Sequence, residues 1–159
     1  MTQTAAIANL TVSDLVAAIG GNRVSPGAGA AAAVALALAA ACAAKAASVS
    51  LKHTENDSAL QGSLDCFTEL AHRALLGADA DAEAFTRFVH ERNPAVARQL
   101  VQTDEQLASL TGALFALIDH ARPHIHSTVT SDLYAAERLA DSARQIHERN
   151  ISETRSRPG

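Results

Sequence analysis

A run of alanines near the N-terminus constrains the fold of this chain more than any other feature. Of the 20 residues from Ala28 to Ala47, 14 are alanine, the residue with the highest intrinsic helix propensity. The run follows Ser25-Pro26-Gly27, and proline followed by glycine is typical of a turn that leads into a helix. A helix of about 20 residues is roughly 30 Å long. We therefore predict a central helix over about 28–51, buried on most sides, because methyl side chains let neighbouring helices approach closely.

The rest of the chain shows apolar residues at intervals of three and four, the period of a helix. Because no segment shows the period-two alternation of a strand, we predict an all-α fold: about five helices in a mostly antiparallel bundle around the alanine-rich helix. Gly77 and Asp79 predict a kink or break in the second long helix, and Asn93-Pro94 predicts its end. The predicted helices lie at about 10–19, 28–51, 58–92, 95–121 and 130–151.

The size of the chain predicts a single helical domain over residues 1–159, with frayed ends at about 1–8 and 152–159. An alanine-rich helix gives only a thin core layer, and a second subunit would help to bury the long helix faces. We therefore expect a homodimer.

Composition limits the classes of partner. The net charge is -4 and aromatic residues make up 3% of the chain, with no tryptophan, so nucleic acid is not expected as a partner. Cys42 and Cys66 both fall in helical patterns. We expect them to be small buried groups in a reducing compartment and not a disulfide. With no positive cluster in residues 1–9, a secretory signal is not expected either. These features predict a cytoplasmic protein.

The uncharged stretch 24–44 is long enough to raise the question of a membrane span. Its strongly apolar residues after Pro26 are few, and alanine is nearly indifferent to lipid. The other helices have the amphipathic pattern of a soluble bundle. We therefore expect no membrane association.

Three segments together resemble the cyclodeaminase/cyclohydrolase family, the all-helical domain of formiminotransferase-cyclodeaminase and of some bacterial methenyltetrahydrofolate cyclohydrolases. The first is Ser25-Pro26-Gly27-Ala28-Gly29-Ala30-Ala31-Ala32, similar to the family's proline, three glycines, serine and alanines. The second is Asp81-Ala82-Glu83-Ala84-Phe85, similar to its aspartate-x-x-alanine-phenylalanine segment. The third is Thr130-Ser131-Asp132-Leu133 with the later Asn150, similar to its serine-aspartate motif and asparagine-bearing helix end.

The chain departs from the family pattern at several positions. Ala28 and Ala30 stand where the family has a glycine and a serine, and Lys45 and Ser48 where it has methionine and asparagine. The loop before Ser131 carries histidines in place of a glycine-asparagine pair. The resemblance therefore supports the fold more strongly than it supports folate chemistry.

The turn formed by Ser25, Pro26, Gly27 and Gly29 is a candidate ligand-binding element. Glycine lets a backbone approach a ligand closely, and the free N–H groups of a helix start attract negative charge. Folates carry carboxylates, so an anion site here is chemically sensible. The alternative is a tight turn combined with close helix packing.

Lys45 is a candidate catalytic residue. On a helical wheel it lies in one stripe, about 80° wide, with Val34, Leu38, Cys42 and Val49. A lysine in an apolar stripe pairs with an acid, has its pKa lowered, or extends its amine to an edge. A lysine with a lowered pKa can act as a general base or form a Schiff base. Alternatively, its stem packs in the core and its amine reaches a rim or a subunit boundary.

Asp81 and Asp132 are the other candidate catalytic residues. Each lies near a predicted helix start, where a carboxylate is stabilised, so we expect both to be ionised at neutral pH. An ionised acid in a pocket could stabilise a cationic substrate or orient water, although both could equally be helix caps. Ser131 is predicted to be a capping hydroxyl beside the site.

His126 belongs to a group with His120 and His124 that could form a loop closing over a pocket. Pro123 interrupts the helix between them, so we expect no metal site. His147 falls on the packing face of the last helix, where an interior or interface histidine is expected.

The resemblance implies an enzyme that acts at an imine- or amidine-like carbon of a tetrahydrofolate one-carbon adduct. Asp132 or Asp81 would stabilise the cation, Lys45 or a loop histidine would move protons, and the Gly27–Gly29 turn would hold a carboxylate or polar ring. The folate would be substrate, and no cofactor is expected. Two alternatives remain: a repurposed cyclase or hydrolase for another small nitrogenous molecule, and a non-catalytic helical dimer that binds a ligand or partner protein.

Overall fold

Five α-helices make up most of residues 6–156, the part of the chain that the computed structural model describes. Short 3-10 turns precede or join them at Ile7–Asn9, Leu51–His53, Arg122–His124 and Ser127–Val129. No strand occurs within residues 6–156, so the all-α prediction is confirmed. The helices are α1 (Val12–Ile19), α2 (Ala28–Ser50), α3 (Ser58–Glu91), α4 (Pro94–Ala121) and α5 (Thr130–Ser156).

The alanine-rich helix α2 forms the core with the three long helices that follow it. It packs against α3 and α5 on its two sides, while α4 packs against α3 and α5 and closes the bundle opposite α2. Nine alanines of α2 are buried, together with Gly29, Leu36 and Ser50. Because their side chains are so small, the larger core residues come from the other helices, including Phe67 of α3 and Leu114 of α4.

Local signals in the sequence set the helix ends. The Thr11 side chain accepts a hydrogen bond from the backbone N–H of Asp14 and caps α1, and the Asp57 side chain caps α3 by accepting from Leu60. Between α3 and α4 the chain turns at Arg92, whose φ of 45° is left-handed. The Asn93 side chain then accepts from two backbone N–H groups and Pro94 occupies the first turn of α4, as the capping rules favour.

The predicted kink in the second long helix is wrong, since α3 runs without interruption through Gly77 and Asp79. A Cβ on Gly77 would overlap the side chain of Leu107, so this glycine allows α4 to pack closely on α3. Asp79 accepts a hydrogen bond of 2.8 Å from the backbone N–H of Ile7 and fixes the N-terminal turn to the bundle.

Parts of the segments predicted to be frayed have secondary structure. Helix α5 continues to Ser156, and Thr154 is buried within it. Ile7 is buried in the 3-10 turn Ile7–Asn9. The rest of the predicted frayed ends, residues 1–5 and 157–159, lies outside the described residues.

One helical stretch within residues 6–156, Ala28–His53, is long and apolar enough to cross a membrane. More than half of its most apolar window, 56%, is buried inside the bundle. The length and composition of this stretch are those of an apolar helix that packs in a core.

Candidate functional site

Three helices bury ionisable side chains against the beginning of α2. Asp81 lies in α3, Asp104 in α4 and His147 in α5, and none of the three is more than 4% exposed. We call them the acid–imidazole cluster. Burial of charged groups is costly unless they are paired and hydrogen-bonded, so such a cluster is a candidate site rather than an ordinary part of a core.

The side chain of Asp81, which belongs to α3, contacts the N-terminal end of α2. Its carboxylate accepts a hydrogen bond from the backbone N–H of Ala30, and it lies so close to Gly29 that a Cβ there would overlap it. The partial positive charge of a helix start stabilises such an anion. The anion position that we predicted for a ligand at the Gly27–Gly29 turn is therefore filled by the protein's own carboxylate.

Asp104 and His147 form a second part of the cluster. The distance between His147 Nδ1 and Asp104 Oδ1 is 2.7 Å, and Asn150 Nδ2 donates to the same oxygen at 3.4 Å. An ionised carboxylate only accepts, so Nδ1 carries the donated proton. Within residues 6–156, Asp104 Oδ2 and His147 Nε2 are buried without a hydrogen-bond partner.

The environment of Asp81 raises the pKa of its carboxyl group toward neutral pH. Burial, followed by the nearby charge of Asp104, raises the pKa of Asp81 to about 6, against the opposing effects of His147 and the Ala30 N–H. Our reason for expecting Asp81 to be ionised was wrong, because it lies inside α3 and not at that helix's start. A carboxyl group with a pKa of about 6 can both accept and give a proton near neutrality.

A cavity of about 1020 Å³ opens beyond the cluster. Helix α2 begins at the level of Asp81, whereas α3, α4 and α5 each extend nine or ten residues further without a fourth helix between them. Phe88 and Thr154 line the cavity and lie seven residues, about two turns, beyond Asp81 and His147 on the same helix faces. The cluster itself does not line the cavity but is buried in the core, about two helical turns along α3 and α5 from Phe88 and Thr154. The remaining lining residues are Val89, Arg92, Asn93, Pro94, Ala97, Arg98, Val101, Gln102, Glu105 and Arg155.

Lys45 and Asp132 lie together at the far end of the bundle. Lys45 Nζ is 3.3 Å from Asp132 Oδ1, and the two side chains are 65% and 22% exposed. Asp132 is in the first turn of α5, as predicted. The stripe that contains Lys45 is the outward face of α2, so of the three expected outcomes for this lysine the structure shows pairing with an acid. Nearby, burial and then the charge of Asp132 raise the pKa of the Cys42 thiol.

His126 and Ser131 belong to this far end as well. The backbone N–H of His126 donates to Ser50 Oγ at 2.8 Å, and its ring stacks on that of His53 with centroids 4.1 Å apart. Ser131 is exposed in the first turn of α5, which the chain enters from the 3-10 turn Ser127–Val129.

The predicted site residues therefore fall into two groups. Ala30 and Lys45 are 15 residues apart along α2, which separates their Cα atoms by roughly 22 Å. The group at the start of α2 contains Ser25, Pro26, Gly27, Gly29 and Asp81, and the group at its end contains Lys45, His126, Ser131 and Asp132.

Sequence reasoning missed Asp104 and treated His147 only as an interior histidine. His147 is indeed buried, but in contact with a carboxylate. Asp104 stands between Leu100 and Leu107 on the buried face of α4, so it is an acid in an apolar stripe. The argument that singled out Lys45 would have identified it.

Comparisons with known proteins agree with this architecture. A family model described as formiminotransferase-cyclodeaminase matches residues 11–152. The crystal structure of formiminotetrahydrofolate cyclodeaminase from Thermotoga maritima has the same fold, with a TM-score of 0.87, 16% sequence identity, and coverage of 93% of this chain and 79% of that chain. No curated protein matches the chain by sequence. Because the family model spans most of its length, the chain belongs to the formiminotransferase-cyclodeaminase family.

Proposed function

We propose that this protein is an enzyme of the cyclodeaminase/cyclohydrolase type that acts at the amidine-like carbon of a tetrahydrofolate one-carbon adduct. The observation that carries the proposal is the acid–imidazole cluster, buried in the core about two helical turns from residues that line an open cavity. Family membership supports the reaction class.

Both reactions of this type need a proton acceptor, a proton donor and a negative charge near a cation. In cyclodeamination the N10 amine attacks the formimino carbon carried by N5 and loses its proton, a C–N bond forms, and the formimino nitrogen takes up a proton and leaves as ammonia. In cyclohydrolysis water adds to the carbon between two nitrogens and loses a proton. One of the two C–N bonds then breaks as the proton of the new hydroxyl passes to the departing nitrogen, and a formyl group remains on the other nitrogen. Each reaction can therefore use one group that first accepts and then returns a proton.

His147 fits the role of proton carrier. Its Nδ1–H is held by Asp104 at 2.7 Å, which fixes the ring orientation and leaves Nε2 to accept a proton and return it. Asp104 supports the imidazolium that forms when Nε2 is protonated. Asp81, with a pKa of about 6, is the second group that can exchange a proton near neutral pH.

The charge of the cluster fits a cationic intermediate. The cluster contains two carboxyl groups, Asp81 and Asp104, but only one imidazole, His147, so it can carry more negative than positive charge. An uncompensated negative charge in a buried site interacts strongly with a cation because the surrounding dielectric is low. This favours a substrate whose reacting carbon becomes positive.

The cavity fits a flat ligand that carries carboxylates. Its volume of about 1020 Å³ is at the upper end of the range for small-molecule sites. Phe88, Pro94 and Val101 supply apolar surface, and Arg92 and Arg98 supply guanidinium groups, which bind carboxylates well. A pterin ring with a glutamate tail has both properties.

The first test is turnover by the purified chain. N5-formiminotetrahydrofolate and methenyltetrahydrofolate are offered separately, and ammonia release, methenyl absorbance and thermal shift are recorded. The proposal expects binding of both and turnover of at least one. Absence of binding and turnover for both would contradict it and leave the repurposed enzyme or the non-catalytic binding protein. A screen of other amidine substrates, compared with the His147→Gln variant, would then separate those two.

A further inference from the structure

We infer that Asn150 and Thr154 form a polar track along α5 through which the buried His147 exchanges protons with the cavity. The track consists of one carboxamide and one hydroxyl, and it spans the two helical turns that separate the acid–imidazole cluster from the cavity. Its part in catalysis rests on the function proposed above, whereas the proton exchange itself needs no substrate.

His147 is the group that needs such a path. Its side chain is 0% exposed, and Thr154, which lines the cavity, lies about two turns, roughly 10 Å, further along α5. A group that accepts a proton and returns it in each turnover must be in hydrogen-bonded communication with water, because an isolated charge is costly in a core. The path therefore has to run through the interval between His147 and the cavity.

The three long helices contribute different side chains to this interval. One turn from the cluster toward the cavity, α3 presents Ala84 and α4 presents Leu100, and each of these residues is 3% exposed. At the same level α5 presents Asn150, which is half-buried. Among these three residues only Asn150 can form side-chain hydrogen bonds, so a polar path follows α5.

Asn150 is joined to the cluster at the inner end of the track. Its Nδ2 donates to Asp104 Oδ1 at 3.4 Å, the same oxygen that pairs with His147 Nδ1. A carboxamide also has a carbonyl oxygen, which remains to accept a hydrogen bond from a bridging water. Asparagine has a lower helix propensity than alanine, so this polar contact gives a physical reason for an asparagine inside α5.

Thr154 brings a hydroxyl to the cavity from the same face of α5. It follows His147 by seven residues and Asn150 by four, a spacing that keeps side chains on one face of a helix, and it lines the cavity although it is only 8% exposed.

The Thr154 hydroxyl also differs from those of other helical threonines. Four of these donate to the carbonyl four residues earlier, namely Thr68, Thr86, Thr103 and Thr111. The Thr154 hydroxyl makes no hydrogen bond to another side chain or to the backbone within residues 6–156. Buried hydroxyl groups normally have a partner, so the partner of Thr154 is a water or a ligand in the cavity.

The exchange moves protons and no other atoms. The imidazolium of His147 gives a proton to a water that Asn150 positions, and this water passes one of its protons to water at the Thr154 hydroxyl. The reverse sequence returns a proton from the cavity to the imidazole. Asn150 and Thr154 are positioning residues, because neither of them changes its charge.

Hydrogen exchange of the His147 ring N–H tests the track without a substrate. In protein labelled with 15N-histidine, the signal is assigned by its loss in His147→Gln, and its exchange with water is measured by NMR. We expect Asn150→Leu and Thr154→Val each to slow the exchange by about 10-fold or more, and Thr154→Ser to keep it near the wild-type rate. Thr111→Val, a matched change at a buried threonine that is bonded within α4, should leave the rate unchanged.

The direction of the change separates the track from a structural role. A loss of packing destabilises the bundle and speeds up exchange through opening, whereas a loss of the track slows it. Unchanged or faster exchange in either folded variant would overturn the proposal, and Thr154→Val keeps the test decisive if Asn150→Leu does not fold, because valine has the shape of threonine. Slower exchange without turnover of either folate derivative would support the track and contradict the proposed reaction.

Discussion

At the scale of single residues, burial and the contact with the start of α2 shift the pKa of Asp81 in opposite directions. The N–H of Ala30 at the start of α2 stabilises the carboxylate, but burial and the charge of Asp104 outweigh it and raise the pKa to about 6 from 3.8. The folded state therefore binds the Asp81 proton more tightly than the unfolded state does. The stability that protonated Asp81 contributes is fully present below pH 3.8 and is lost as the pH rises through about 6.

Replacement of this group should remove that pH dependence. Asp81→Asn keeps an oxygen that can accept from Ala30 but does not titrate. We expect the free energy of unfolding of the wild type to fall by roughly 2 to 3 kcal/mol relative to the variant between pH 4 and pH 8. Urea unfolding of both proteins across this range measures the difference. A difference independent of pH would contradict the assigned burial effect.

Gly29 provides a steric test of the same contact. Gly29→Ala should lower the free energy of unfolding by about 1 to 3 kcal/mol, because its Cβ overlaps the Asp81 carboxylate. Gly62→Ala, on an open surface of α3, should instead raise it by up to about 1 kcal/mol through helix propensity. In an Asp81→Ala background the cost of Gly29→Ala should largely disappear in thermal unfolding. A cost that stays unchanged there would disprove the contact.

The sequence predicted some of these residues and not others for physical reasons. Gly29 and Asp81 were chosen because of family motifs, and the structure places them in contact. Their roles were misjudged, since a motif does not reveal that the acid of one segment occupies the helix start of another. Asp104 belongs to no quoted motif, and its significance depends on His147, 43 residues away in sequence.

At the scale of elements, the close approach of α3 and α4 depends on Gly77. The glycine was read as a helix breaker, whereas it allows Leu107 to pack against the α3 backbone. Helical glycines weaken a helix by only about 1 kcal/mol, so tertiary packing can retain one without a kink. The helix bounds were otherwise well predicted, because the alanine run and the Asn93-Pro94 signal act locally.

A pair of glycine substitutions tests this packing. Gly77→Ala should lower the free energy of unfolding by about 1 to 3 kcal/mol through overlap with Leu107. The same change at Gly112 in α4, where a Cβ would meet nothing within 4 Å, should be neutral or stabilising. Chemical denaturation of the two variants and the wild type gives the comparison, and equal effects at both positions would be inconsistent with the close approach.

At the scale of the whole molecule, the bundle has two chemically different ends joined by α2. One end buries the acid–imidazole cluster below a cavity, and the other exposes the Lys45–Asp132 pair. Sequence reasoning gathered residues of both ends into one site, because a single sequence does not show which motifs meet when helices run antiparallel. The three-dimensional arrangement places the two groups at opposite ends of α2.

The central claim is that the buried cluster performs proton transfer, and turnover by a His147 variant tests it most directly. The kcat for ammonia release from N5-formiminotetrahydrofolate is measured for the wild type, for His147→Gln and for the control His90→Gln. His90 is an exposed residue of α3. Circular dichroism confirms that each protein is folded. We predict that His147→Gln lowers kcat by about 10²- to 10⁴-fold and that His90→Gln leaves it unchanged. A folded His147→Gln variant with wild-type kcat would contradict the account.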